Sequence, residues 1–457
     1  MNSNLFATFV NNKCYEFLQK HLHTDAMVND LNNLIHDILL ETKNEMLTLS
    51  TLKINFKKER NRCNNSVIQF PHLKNAYHID LKDDIEKYLK SNTEFLSLNK
   101  KNELPVIIYA DDIVASGSDS GKLEHYKTYG ISITKIEKQN NYQDILRHVM
   151  KEFNTLTFTH NNKVKKLNPI FFIADNLMIQ SAFGFKKSFS NKSKSCCRAC
   201  TLDGEKFHLY TKKFSLDKVL RETPENFFPR NNNMIFDTFH DLQESICAYN
   251  LFLCVHLYNK LLNVNSETLR KNIIKIAQKL RLSSQFSTAL KEGFFDFNSR
   301  KDVLETKGRF ALKGQQTFYL TICFYHILKE SFSQCSSVLT YEKIHLIYKV
   351  IHYTLSLIFF FSNKVNNEKI LSRRNFIEEL VEKHFEALFL LTNGKFKMTM
   401  KYHNICHYGK MVEMFPNTHL SAFSTLRFES ANSRIKRFLN VGNSYLNPCK
   451  TVIQKVL

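Results

Sequence analysis

The chain has 457 residues, 43% of them hydrophobic, and a formal net charge of +21 with a pI near 9.4. That supplies a core and room for two or three domains, or for one domain with a large insertion, while a cationic excess spread along the chain favours a polyanionic partner, nucleic acid first. Its eleven cysteines, an odd number scattered apart from "CCRAC" at 196–200, argue against a disulfide framework and for a reduced, intracellular setting.

Residues 1–60 alternate apolar and polar side chains at helical spacing, without the basic start and clean apolar stretch of a targeting segment. A second amphipathic helix is predicted over 77–98. At Pro105 the character changes: "PVIIYAD" is a short apolar run rich in β-branched residues, predicted as a buried strand ending on Asp111. Turn residues follow at 116–121, then a predicted hairpin over 126–136 turning at Gly130. The spacing of Ile145, Val149 and Phe153 predicts a helix over 142–156, and "NPIFFIAD" at 168–175 reads as a second buried strand closing on an acid, Asp175. Beyond "CCRAC" the periodicity is helical over 238–263, 267–281, 317–334, 342–362 and 374–391. The most apolar of these contains His345, Lys349 and His352. Its uncharged run falls short of the ~18 residues that span a bilayer, so a buried core helix is expected and no membrane.

"YADD" at 109–112 has the look of a polymerase signature, in which paired aspartates at a hairpin hold metal ions. A polymerase palm also needs a third carboxylate on an upstream strand and a fingers region before it. The residues ahead of Asp111 offer neither, and a four-letter match is a weak signal.

Four later segments carry more. Asp175 closes a strand, and Cys197 and Cys200 follow at C-x-x-C spacing. "FDTFHD" supplies Asp237, His240 and Asp241, and "KYHNICHYGK" supplies His403 and His407. "RFE" then places Glu429 ahead of Arg434, Lys436 and Arg437.

In that order, strand-Asp, strand-Asp-Asn, C-x-x-C, D-x-x-H-D, H-x-x-x-H and "RFE" resemble a DDE transposase. The likeness is nearest to animal transposon-derived proteins with "YYDD" and "MRFE" motifs, which are similar to plant-type CACTA transposases and share a zinc-pair logic with the V(D)J recombinase core. It covers roughly residues 100–440. This chain departs from the pattern after "YADD", where "IVASGSDSG" stands, and before "RFE", where a Trp is usual.

The resemblance implies an α/β protein: an RNase H-like core interrupted by a large all-α insertion, with a helical N-terminal region. The implied segments are a helical 1–100, a first core part 101–200, an insertion 201–395 and a catalytic helix region 396–457. Asp111, Asp175 and Glu429 would hold Mg²⁺ or Mn²⁺, with Asp112 the rival for the first position. Cys197, Cys200, His403 and His407 would hold structural zinc, with Cys196 and Cys406 as alternative thiols, and His240 would approach the scissile phosphate with its ring oriented by Asp237. Double-stranded DNA is the implied partner, contacted by 163–166, 186–195 and the cations after Glu429. A nuclear setting and a homo-oligomer that pairs two DNA ends follow by the same analogy. The alternative is a transposon-derived DNA-binding nuclear protein without catalysis.

Overall fold

The computed structural model describes residues 67–70, 76–91, 102–110, 130–131, 143–160, 163–185, 194, 196–211, 220–221, 229–286, 289–296, 308–334, 337–362, 370–396 and 398–426. These residues make a mixed α/β protein that is mostly helical with small sheets. Asp111, Asp112 and Glu429, most of 186–195, and Arg434, Lys436 and Arg437 lie outside the described residues. The described chain divides into two compact units, one of residues up to 169 without 107–110, the other of 107–110 and 170–426.

In the first unit, strands β1 (Val67–Gln69), β2 (Tyr77–Ile79) and β4 (Gly130–Ile131) form an antiparallel sheet in that order. Residues 77–79 are therefore strand, not the start of the predicted helix. The helix α1 begins at Leu81 and runs to Ser91, because Asp80 accepts the amide of Asp83 at 3.1 Å and caps it. Gly130 lies within a strand that pairs with Tyr77–Ile79; the rest of the predicted hairpin lies outside the described residues. Helix α2 (Gln143–Thr155) matches the expected span and buries Leu146, Val149, Met150 and Phe153.

A second sheet has the order β3 (Glu103–Ala110), β6 (Lys163–Ala174), β5 (Thr157–His160), with β5 and β6 antiparallel. The two long strands are neighbours, and each stops one residue before an aspartate of the sequence, Asp111 and Asp175. Strand β6 begins earlier than expected and takes in "KVKK". Lys165 is buried, whereas Lys163 and Lys166 are exposed, Lys166 pairing with Glu103 at 2.8 Å.

In the second unit, Phe171, Phe172, Ile173 and Ala174 are fully buried, and Phe171 stacks on Phe423 with centroids 5.4 Å apart. Asn232 stands in for a strand neighbour: its side chain accepts the Phe172 amide at 2.6 Å and donates to the Phe172 carbonyl at 3.0 Å. A π-helical stretch, Phe239–Ile246, leads directly into α4 (Cys247–Leu262). Helices α5 (Ser266–Lys279), α6 (Gly314–Ser331), α7 (Val338–Ser362) and α8 (Ile370–Leu391) follow the predicted helical block closely.

Helix α7 packs against α4, α6 and α8. With 25 residues and a mean hydropathy of 1.5 over its best window it is long and apolar enough to cross a membrane, yet half of that window is buried in the protein. Gly314 lets α6 approach the π-helical stretch: a Cβ there would lie 2.6 Å from Glu244 Cγ and 3.4 Å from the Glu244 amide nitrogen. Two short helices, α9 (Met400–Ile405) and α10 (Tyr408–Met414), close the described chain with the turn at 420–423.

Candidate metal centre and carboxylate–histidine knot

All four predicted zinc ligands converge in the second unit. The ligand atoms of Cys197, Cys200, His403 and His407 lie within 4.8 Å of one another, and all four residues are buried. Cys197 Sγ is 3.5 Å from His407 Nε2, Cys200 Sγ is 3.2 Å from His403 Nε2, and the two Nε2 atoms are 3.1 Å apart. Tetrahedral zinc with ordinary bond lengths requires N···N near about 3.3 Å and S···N near about 3.6 Å, so the donor set fits. The cluster can hold a metal ion such as zinc.

His403 lies in the last turn of α9 and His407 immediately precedes α10, so the i, i+4 pair spans a helix junction while keeping both rings on one side. Phe207 stacks flat on His403, with centroids 3.8 Å apart, and Phe236 lies parallel to His407 at 5.5 Å. These rings set the imidazole planes, because both Nδ1 atoms are buried without a hydrogen-bond partner among the described residues. On the cysteine side, the amide of Ala199 points at Cys197 Sγ, 3.3 Å away. Arg221 Nε donates to the carbonyls of Cys197 and Cys200 at 2.9 and 2.8 Å, which closes the turn.

Without metal, burial alone would raise the Cys197 thiol, but the hydrogen bond from Cys200 and the two imidazoles bring it well below its ordinary value. Cys200 is raised, as the proton donor to Cys197 in a buried place. Burial holds His403 low, which keeps its imidazole neutral and able to ligate. Cys196 and Cys406 are not members of the cluster; burial pushes their thiols up to about 11 and about 12.

The D-x-x-H-D element straddles the start of the π-helical stretch, with Asp237 just before it and His240 and Asp241 in its first turn, a helix form that recurs at functional sites. Asp237 is fully buried and its Oδ2 hydrogen-bonds His240 Nδ1, the predicted orientation. Its other oxygen accepts the amides of Phe239 at 2.9 Å and Thr425 at 3.0 Å. The Thr425 hydroxyl donates to Asp237 Oδ2 at 2.5 Å and lies 3.2 Å from His240 Nδ1. On its other side, His240 Nε2 is 3.6 Å from Glu244.

Asp241 is also fully buried and ties two more segments together. It accepts from Asn176 at 2.8 Å, from Asn404 at 3.0 and 3.2 Å and from Tyr408 at 3.3 Å, and Lys401 pairs with it at 3.0 Å. Arg198, between the two cysteines, donates to Asn176 at 2.8 Å and lies over the Phe236 ring. One continuous network thus joins the residue after Asp175, the C-x-x-C turn and the H-x-x-x-H helices to the D-x-x-H-D element.

Asp175 itself is half-buried and caps helix α3 (Asn176–Ala182), its Oδ1 accepting the Met178 amide at 2.6 Å. Sequence reasoning held Asn176 only as the Asn of the strand-Asp-Asn motif and did not find Arg198, Arg221, Asn404, Tyr408 or Thr425. Arg198, Asn404, Tyr408 and Thr425 lie close in sequence to motif residues, whereas Arg221, 21 residues past Cys200, carried no such signal.

No protein-family model matches the chain, and no curated protein is significantly similar to it.

Proposed function

We propose that this chain is a DDE-type, transposase-like protein that binds double-stranded DNA and cleaves and joins phosphodiester bonds. The observation that carries this reading is the knot around Asp237, His240 and Asp241. It fastens Asn176, next to Asp175, and Thr425, shortly before Glu429, onto one short helical element. Such fastening is what a site assembled from distant carboxylates requires.

In this reading Asp111, Asp175 and Glu429 hold two Mg²⁺ or Mn²⁺ ions, which when bound activate the attacking oxygen and stabilise the leaving one. His240, fixed through Nδ1 by Asp237 and with Nε2 3.6 Å from Glu244, would serve as a cationic donor for a phosphate oxygen. The Cys197–Cys200–His403–His407 centre binds zinc and staples the start of the helical block to its end. The net charge of +21 supplies the affinity for DNA, which falls steeply with added salt. A nuclear location and an assembly that pairs two DNA ends belong to the same reading.

The test is cleavage of labelled duplex DNA with Mg²⁺ or Mn²⁺ by the wild type, Asp175→Ala and Glu429→Gln. Metal-dependent nicking lost in both variants supports the enzyme. A second reading, a DNA-binding protein of the same descent without catalysis, draws on the helix-capping role of Asp175, which gives that carboxylate a structural use. Salt-sensitive binding with no cleavage in either metal would favour it.

A further inference from the structure

The first unit holds a second group of metal-ligating side chains that the function proposed above does not use. His78 on β2 and His148 and Glu152 on α2 bring one ligand atom each to within 4.8 Å of one another. His148 and Glu152 stand four residues apart on one helical face, with Nε2 and Oε2 separated by 3.7 Å. Ions bound by imidazole nitrogen and carboxylate oxygen at about 2.0–2.1 Å place neighbouring ligand atoms about 3.4 Å apart, so this pair is close to ligating distance.

His78 is buried and its ring is already oriented. Its Nδ1 donates to the Ile79 carbonyl at 2.9 Å, which leaves the lone pair on Nε2. A histidine that ligates through one nitrogen commonly donates from the other to a backbone carbonyl or a carboxylate. Phe70 walls the group, with its centroid 4.5 Å from that of His78 and 5.1 Å from that of His148. The side chains of His148 and Glu152 remain 32% and 25% exposed, so solvent reaches the open side.

The geometry points to a second metal site: His78, His148 and Glu152 bind a divalent transition ion of the zinc class, with water completing the coordination. Two imidazoles and one carboxylate suit Zn²⁺, Co²⁺ or Ni²⁺ better than Mg²⁺, which prefers an all-oxygen shell. Three protein ligands leave a position open, unlike the closed four-ligand Cys₂His₂ set in the other unit. The ion would clamp strand β2 to helix α2.

Metal content and Co²⁺ absorption of the full chain test the assignment, comparing the wild type with His148→Ala and Glu152→Gln. Both substitutions fall on partly exposed helix positions, and the conservative Glu152→Gln guards against loss of fold. The expected result is loss of one equivalent of bound metal in each variant, with the thiolate-to-cobalt charge-transfer band of Cys197 and Cys200 unchanged. Should the cysteine centre bind nothing, that band is absent from every protein, and the variants still lose their one equivalent. Unchanged metal content in both variants overturns the site.

Discussion

Thr425 and Asp237 are joined by two hydrogen bonds across 188 residues of sequence, from the Thr425 amide and from its hydroxyl. Both acceptors belong to a fully buried carboxylate, so each bond is charge-assisted. Thr425→Val keeps the shape and the amide bond but removes the hydroxyl, leaving Asp237 Oδ2 with His240 alone. We expect a loss of about 1–3 kcal/mol, read as a shift of the urea midpoint without a change in slope. An unchanged midpoint would show that the two segments are held together by other contacts.

The His240–Asp237 pair makes stability depend on pH. Burial opposes protonation of His240, but the Asp237 charge and hydrogen bond outweigh it and push its pKa up to about 9. Burial would raise Asp237, yet His240 and Thr425 hold it below its ordinary value. A raised histidine stabilises fully below its unfolded pKa of about 6.5, and that contribution disappears as pH rises through about 9. A depressed carboxylate stabilises above about 3.9 and loses its contribution as pH falls through its folded value. The gap in melting temperature between wild type and His240→Gln should therefore be widest near pH 6, worth at most about 3 kcal/mol, and narrow towards pH 10. A gap that is constant from pH 6 to 10 would mean that His240 is not protonated in the folded protein.

Arg221 tests the metal centre without removing a ligand atom. It holds both halves of the C-x-x-C turn through the carbonyls of Cys197 and Cys200. Removing such a support typically costs 10–100-fold in metal affinity, so Arg221→Ala should weaken zinc binding by about that factor in a competition titration. Cys200→Ser, which removes a ligand, should cost more. Equal affinity in Arg221→Ala and wild type would show that the stacked rings of Phe207 and Phe236 fix the site unaided.

Much of this was legible in the sequence, for identifiable reasons. The helices at 143–155 and 338–362 carry apolar spacing that no neighbour had to rescue, and the strand at 168–174 is too apolar to be anything but buried. The C-x-x-C and H-x-x-x-H pairs were visible because thiol and imidazole chemistry restricts their spacing. Residues 77–79 were misread because a three-residue strand carries no period, its near partner at 67–69 is equally short, and its other partner at 130–131 lies far along the chain. Arg198 and Arg221 were invisible for another reason. A guanidinium that braces backbone carbonyls looks the same in a sequence as one that faces water.

Gly314 predicts a packing effect beside the knot. A Cβ would meet Glu244 Cγ at 2.6 Å and Phe239 Cζ at 3.3 Å, both on the stretch that carries His240. Overpacking of this kind costs about 1–3 kcal/mol. Because the tightest clash is with a side chain, Glu244→Ala should recover part of the loss from Gly314→Ala, giving a non-additive double-mutant cycle measured by urea unfolding. Strict additivity would place the strain in the backbone instead.

Asp175 separates structure from chemistry most sharply. Its Oδ1 caps α3, a service that asparagine performs equally well and alanine does not. If capping is its whole role, Asp175→Asn should match the wild type in stability and in any DNA cleavage, while Asp175→Ala loses about 0.5–2 kcal/mol. If it also holds a divalent ion, Asp175→Asn should keep the melting temperature and lose metal-dependent cleavage, because the neutral amide is a far poorer ligand for Mg²⁺ than a carboxylate. Thermal unfolding and strand cleavage on the same three proteins decide between these outcomes, since capping depends on the shape of the side chain and metal binding on its charge.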